Sequence, residues 1–158
     1  MATKARGETR SSATSAKKKS AKKSATKKRA TKPSTRARSE ALREQLIAHA
    51  MTYPGAHEDF PWGEVVTKVR KKVFVFYGAK DSLERGVGFS VKLPHSGPLV
   101  LGQPFAAPTG YGLGRAGWVS VRVLPGEAPP LEVMKSWIDE SYRAIAPKRL
   151  IAELDARG

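Results

Sequence analysis

In GVGFSVKL the apolar residues Val87, Phe89, Val91 and Leu93 alternate with Gly88, Ser90 and Lys92. A period of two marks a strand with one buried and one open face. GWVSVRV repeats the pattern, with Val119, Val121 and Val123 expected inward and Trp118, Ser120 and Arg122 outward. Upstream, EVVTKVRKKVFVFYG reads as two short β-branched and aromatic strands joined at the basic turn Arg70-Lys71-Lys72, which predicts a hairpin.

Elsewhere the period is helical. In SEALREQLIAHAMTYPG, Leu42, Leu46 and Ala50 recur at i+4, Ser39 is expected to cap the helix, Glu40 favours its positive end, and Pro54-Gly55 stops it. After Pro129-Pro130, the residues Leu131, Met134, Ile138, Tyr142 and Ile145 trace one stripe, predicting a helix that runs to Ala146. Pro147 breaks it and starts a short last helix carrying Leu150, Ile151 and Leu154. Between the two alternating strands the chain is rich in Pro and Gly; GPLVLG predicts a brief helical turn and the rest a loop. Helix, strands, helices in that order predict an α+β fold: an antiparallel sheet with the terminal helices packed on one face and the other face wet.

Charge divides the chain more sharply than hydropathy does. The first 38 residues hold nine Lys and five Arg against the single acid Glu8, a net of +13 out of +15, which leaves +2 for residues 39–158. Apart from Met1 they contain nothing apolar larger than Ala, so they cannot bury enough surface to offset the entropy of ordering. The expected organisation is a disordered Lys/Ala/Ser/Thr-rich basic tail over residues 1–38, then an α+β domain over residues 39–158. No apolar run of the kind a secretory signal needs follows the positive N-terminus, and no window approaches the ~18 apolar residues of a membrane span. The sequence lacks Cys, which excludes disulfides and thiolate metal sites and suits a reducing compartment. A cytoplasmic, nucleoid-associated protein is expected.

From Tyr53 to Leu150, YPGAHEDFPWGE, KVFVFYG, SVKL, GWVSVRV and WIDESYRAIAPKRL resemble the MmcQ/YjbR family in order and spacing, with GWVSV and SYRAIAPK as a paired signature. The resemblance implies a frataxin-like (CyaY-like) fold, described in that family as a double-wing DNA-binding motif. The tail alone is similar in composition to the Lys/Ala/Ser/Thr repeats of linker-histone-like and bacterial nucleoid proteins.

The function expected is DNA binding without catalysis, with RNA as the alternative nucleic acid. In the tail, Lys17, Lys18, Lys19, Lys22, Lys23, Lys27, Lys28, Arg29 and Lys32 offer charge without base-reading geometry, which suits phosphate backbones. On the domain, Lys68, Arg70, Lys71 and Lys72 surround the hairpin turn, Lys92, Arg115 and Arg122 lie on or beside the open face, and Trp118 is the expected stacking plane. An ordinary solvated face is the plain reading of the same residues. The competing functional reading is a protein or small-ligand site on that face around Trp118, with the tail only as a nucleic-acid anchor. A membrane partner is not expected, since the tail has no Trp, Phe or Leu to insert.

Chemistry-bearing motifs add little. His57, Glu58 and Asp59 in HEDF are adjacent, and His49 and His95 lie at no ligand spacing, so no metal or other cofactor is expected. GLGRAG at Gly112–Gly117 has the letters of a nucleotide-binding loop, but a loop precedes it and a strand follows, where the motif needs a strand and then a helix. No Cys–His or Ser–His arrangement stands out, so no catalytic residue is assigned, and Ser141 is expected to be a structural hydrogen-bond donor.

Overall fold

Ser34, not Ser39, caps the first helix. In the computed structural model, which describes residues 32–157, helix α1 spans Thr35–Ala50, and the Ser34 hydroxyl accepts a hydrogen bond from the Ala37 amide at 3.1 Å. The apolar stripe begins only at Leu42, so the first two turns carry no hydrophobic signal. Ser39 instead lies inside α1, fully buried, on a stripe with Arg43, Leu46 and Ala50. Half of that stripe is polar. The Arg43 guanidinium donates to the Gly78 carbonyl at 3.4 Å and sits 5.9 Å from the Tyr77 ring centroid, which compensates part of its desolvation.

Six antiparallel strands form one sheet: β1 (Ala56–Asp59), β2 (Val66–Val69), β3 (Lys72–Tyr77), β4 (Val87–Lys92), β5 (Ala106–Pro108) and β6 (Trp118–Val123). Their spatial order is β1-β2-β3-β4-β6-β5. The predicted hairpin is β2–β3, turning through Arg70 at a left-handed φ of 57°. Consecutive residues Thr67 and Lys68 face Val75 and Val73, so Phe74 is an extra residue on β3. This bulge lets Phe74 and Val75 both be fully buried despite the strand period. Between β4 and β6 the chain makes an excursion through a single helical turn, α2 (Gly97–Val100), and returns as β5, which lines the outer edge of β6. Strands β1 and β5 occupy stretches that the sequence pattern leaves as loop.

Helices α3 (Leu131–Ile145) and α4 (Lys148–Ala156) follow, and α1 and α3 pack on the same sheet face. The core is the inward row of the sheet, including Val75, Tyr77, Phe89, Val91, Val119 and Val121, closed by Leu46, Met134, Ile138 and Tyr142. Trp137, which lies off the predicted stripe of α3, is also buried and meets Phe89 at 6.4 Å. The Tyr53 and Tyr142 rings stack at 4.7 Å, Phe74 meets both edge-on, and the Tyr142 hydroxyl donates to the Pro54 carbonyl at 2.6 Å.

Ser141 ties α3 to the sheet. Its hydroxyl donates to the Phe74 carbonyl at 2.5 Å and accepts from the Lys92 amide at 2.8 Å. Both backbone groups sit beside irregular pairing, one at the bulge and one at the end of β4. Ser141→Ala leaves two polar groups without their partner and is expected to lower unfolding free energy by about 1–3 kcal/mol, read by denaturant melts.

A pH dependence follows from His49, whose ring meets Tyr53 edge-on and whose Nε2 lies 3.0 Å from the Tyr53 hydroxyl. Burial holds its imidazole below the ordinary 6.5; Lys135 adds to the effect, and Asp139 and Glu132 oppose it. With the folded value depressed, the unfolded chain takes up the proton first. The stability is therefore present above pH 6.5 and declines as pH falls through the folded value. The melting temperature is expected to drop between about pH 7 and about pH 5, and His49→Gln should flatten that slope.

Candidate functional site on the outer sheet face

The sheet register separates the predicted cations into two ends. Lys72 is paired with Val69 beside the hairpin turn, Lys92 is opposite Trp118, and Arg115 lies just ahead of β6, so all three mark one end of the sheet with Arg70 and Lys71. None of these five makes an ion pair among the described residues. Arg122 is opposite Gly88, toward the other end. Lys68 is not free: its ammonium meets the Asp59 carboxylate at 2.7 Å, and this contact holds Asp59 below its usual range. Lys32 is exposed. Lys17, Lys18, Lys19, Lys22, Lys23, Lys27, Lys28 and Arg29 lie outside the described residues.

Trp118 overturns an expectation. It is on the outer face but only 6% exposed, packed edge-on against Phe76 at 5.2 Å, so no base can stack on it. The two rings reach across β4, where the residue opposite Phe76 is the small Ser90. Val66, paired with Phe76, is buried as well. The outer face therefore carries its own apolar cluster, and the expectation of a uniformly wet face is corrected.

Beside this cluster lies a cleft of about 880 Å³. Phe76, Phe105, Tyr111 and Leu113 supply its apolar walls. Across its floor runs a chain of hydroxyls, Ser90 to Ser120 at 2.8 Å and Ser120 to Thr109 at 2.9 Å. Arg122 lies flat at one end, because Gly88 opposite it has no side chain: a Cβ there would come within 2.8 Å of the guanidinium nitrogen. Tyr111 stands fully exposed on the far lip with a left-handed φ of 58°, between Gly110 and Gly112. A strained, exposed aromatic at a cleft is a feature that functional sites favour.

The sequence pattern singled out Arg122 but not its surroundings. The one available signal was Gly88 inside an alternating strand, where a missing side chain marks the close approach of another group. GLGRAG forms a 3₁₀ turn (Leu113–Ala116) between the left-handed Gly112 and Gly117 and leads into β6. His57 and Glu58 are exposed on β1, and among the described residues no cluster of three potential ligands could hold a metal.

Comparison with known proteins adds a family and a fold. The family model described as YjbR matches residues 51–144. No curated protein matches. The crystal structure of the Deinococcus radiodurans protein DR2400, with a domain described as DUF419, superposes with a TM-score of 0.55 over 71% of this chain and 86% of that one, at 23% identity. At that identity the likeness concerns the fold alone.

Proposed function

This chain belongs to the YjbR family, and on that premise we propose that it is a non-enzymatic DNA-binding protein whose basic N-terminal segment supplies most of the affinity. One observation carries the reading: residues 1–38 hold +13 of the net +15 charge. Block charge of this density favours a polyanion through counterion release. The domain adds Arg70, Lys71, Lys72, Lys92 and Arg115 at one end of the sheet, a set of charges suited to orienting a duplex through its phosphates.

The antiparallel sheet with helices on one face supports a frataxin-like, double-wing reading of the domain, with the β2–β3 hairpin as one wing. The N-terminal segment is read as a linker-histone-like arm and the location as the nucleoid, with RNA the alternative nucleic acid. The experiment is anisotropy titration of a short random-sequence duplex with the full chain. Combined Arg70→Ser, Lys71→Ser and Arg115→Ser substitutions are expected to weaken binding about 10-fold. A full chain that leaves the duplex unbound at about 50 mM salt overturns the proposal.

A further inference from the structure

We propose that the cleft over the outer sheet face is a binding site for a small aromatic carboxylic acid, independent of the nucleic-acid function. The argument begins with volume and lining. At about 880 Å³ the cleft lies within the range of small-molecule sites, roughly 300–1,000 Å³, and it combines an apolar wall with a few convergent polar groups as such sites do. Phe76 is a fixed wall, since Trp118 packs against its ring from the side of the sheet's basic end. Phe105, just ahead of the edge strand β5, borders the cleft and also meets Trp137 of the helix layer at 6.2 Å. Leu113 and Tyr111 complete a slot suited to a flat apolar body.

The charge of the ligand is set by Arg122. Its guanidinium makes no ion pair and no side-chain hydrogen bond among the described residues, although Glu64 borders the same cleft. It is seated by the absence of side chains below it: a Cβ at Gly88 would meet it at 2.8 Å, and one at Gly78 at 3.8 Å. Neither glycine is there for a left-handed backbone, since neither has a positive φ. What they provide is space, and the space holds a planar five-donor fork at the end of an apolar slot.

A guanidinium fork matches a carboxylate in two parallel hydrogen bonds. A phosphate monoester fits less well, because a dianion would face this single cation with Glu64 on the same cleft. Beside Arg122, the linked hydroxyls of Ser90, Ser120 and Thr109 can each turn to accept or donate, which accommodates a second polar substituent on the ring.

The experiment uses the isotopically labelled full chain at physiological salt, with 2-naphthoate as the probe and amide shifts as the readout. 2-Naphthoate is expected to bind in roughly the millimolar range, as its size allows. It should shift the amides of Gly78, Gly88, Ser120 and Arg122. The neutral 2-naphthylmethanol should bind at least 10-fold more weakly, and Arg122→Gln should cost naphthoate about 10-fold or more. Gly88→Ala keeps the strand while lifting the guanidinium from its seat, and should weaken naphthoate in the same direction. Lys92→Gln should change nothing.

Absence of shifts at these amides, or an Arg122→Gln chain that is folded and binds naphthoate unchanged, overturns the proposal. Equal occupancy by inorganic phosphate overturns the carboxylate assignment. If a short single-stranded oligonucleotide shifts these amides and naphthoate does not, the cleft belongs to the nucleic-acid surface and the proposal falls, while the DNA-binding reading stands.

Discussion

Val121→Asp is expected to unfold the domain, while Arg122→Asp, one residue further along the same strand, leaves it folded. Val121 is 2% exposed on β6, flanked by Phe89 of β4 and Ala106 of β5, and its side is the one covered by the helices. The strand partners of Val121, Phe89 and Ala106, are both apolar, so a carboxylate there has no ion-pairing partner on either neighbouring strand. Burying an unpaired charge, or protonating it to avoid doing so, costs several kcal/mol. Loss of the valine contacts adds about 1 kcal/mol or more, and domains of this kind have only about 5–15 kcal/mol in total. Arg122 points to the opposite, accessible face, where a substitution typically changes stability by within about 0.5 kcal/mol. Far-UV dichroism at room temperature checks both variants. A Val121→Asp chain that melts at the wild-type temperature would reverse the assignment of faces.

That face assignment was legible because β4 and β6 lie in the body of the sheet, and burial on one side only imposes alternation on Val87–Leu93 and Val119–Val123. The helices α3 and α4 announced themselves in the same way. Edges were not legible. Strand β1 reads AHED, three of its four residues polar, because an edge strand has one open hydrogen-bonding side and charge there discourages further pairing. Strand β5 is only Ala-Ala-Pro, too short to show a period, and it exists because β6 offers it a partner edge.

For the site, local pattern gave direction but not environment. It put Trp118 and Arg122 on the outer face. It could not show that Phe76, two strands away, closes over Trp118, nor that Gly88 makes room for Arg122. Both facts depend on register between strands distant in sequence. The ion pair of Lys68 was not legible for the same reason, its partner Asp59 lying on a strand that the pattern does not reveal.

The largest expected effect concerns salt. Affinity for B-form DNA falls with a log–log slope of about −0.9 per neutralised phosphate. Twelve of the chain's Lys and Arg residues precede Ser34, where the unit that carries the sheet begins, so a full chain has the charge to engage some 6–10 phosphates. Duplex affinity should then drop by on the order of 10³–10⁵ between about 50 and about 200 mM salt, with a slope of about −5 to −9. A chain beginning at Ser34 keeps only the five unpaired cations at the basic end of the sheet as an organised contact, and its slope should be no steeper than about −4.5. Anisotropy titrations of both chains at four or more salt concentrations separate the slopes. Equal slopes would mean that the unit from Ser34 onward, and not the N-terminal charge, makes the phosphate contacts. Arg36 and Arg38 offer an internal control, since they lie on α1 and remain in the shorter chain. Neutralising them should change the slope by about 2 in either chain if they touch DNA, and by nothing if the contacts lie wholly ahead of Ser34 and at the hairpin end.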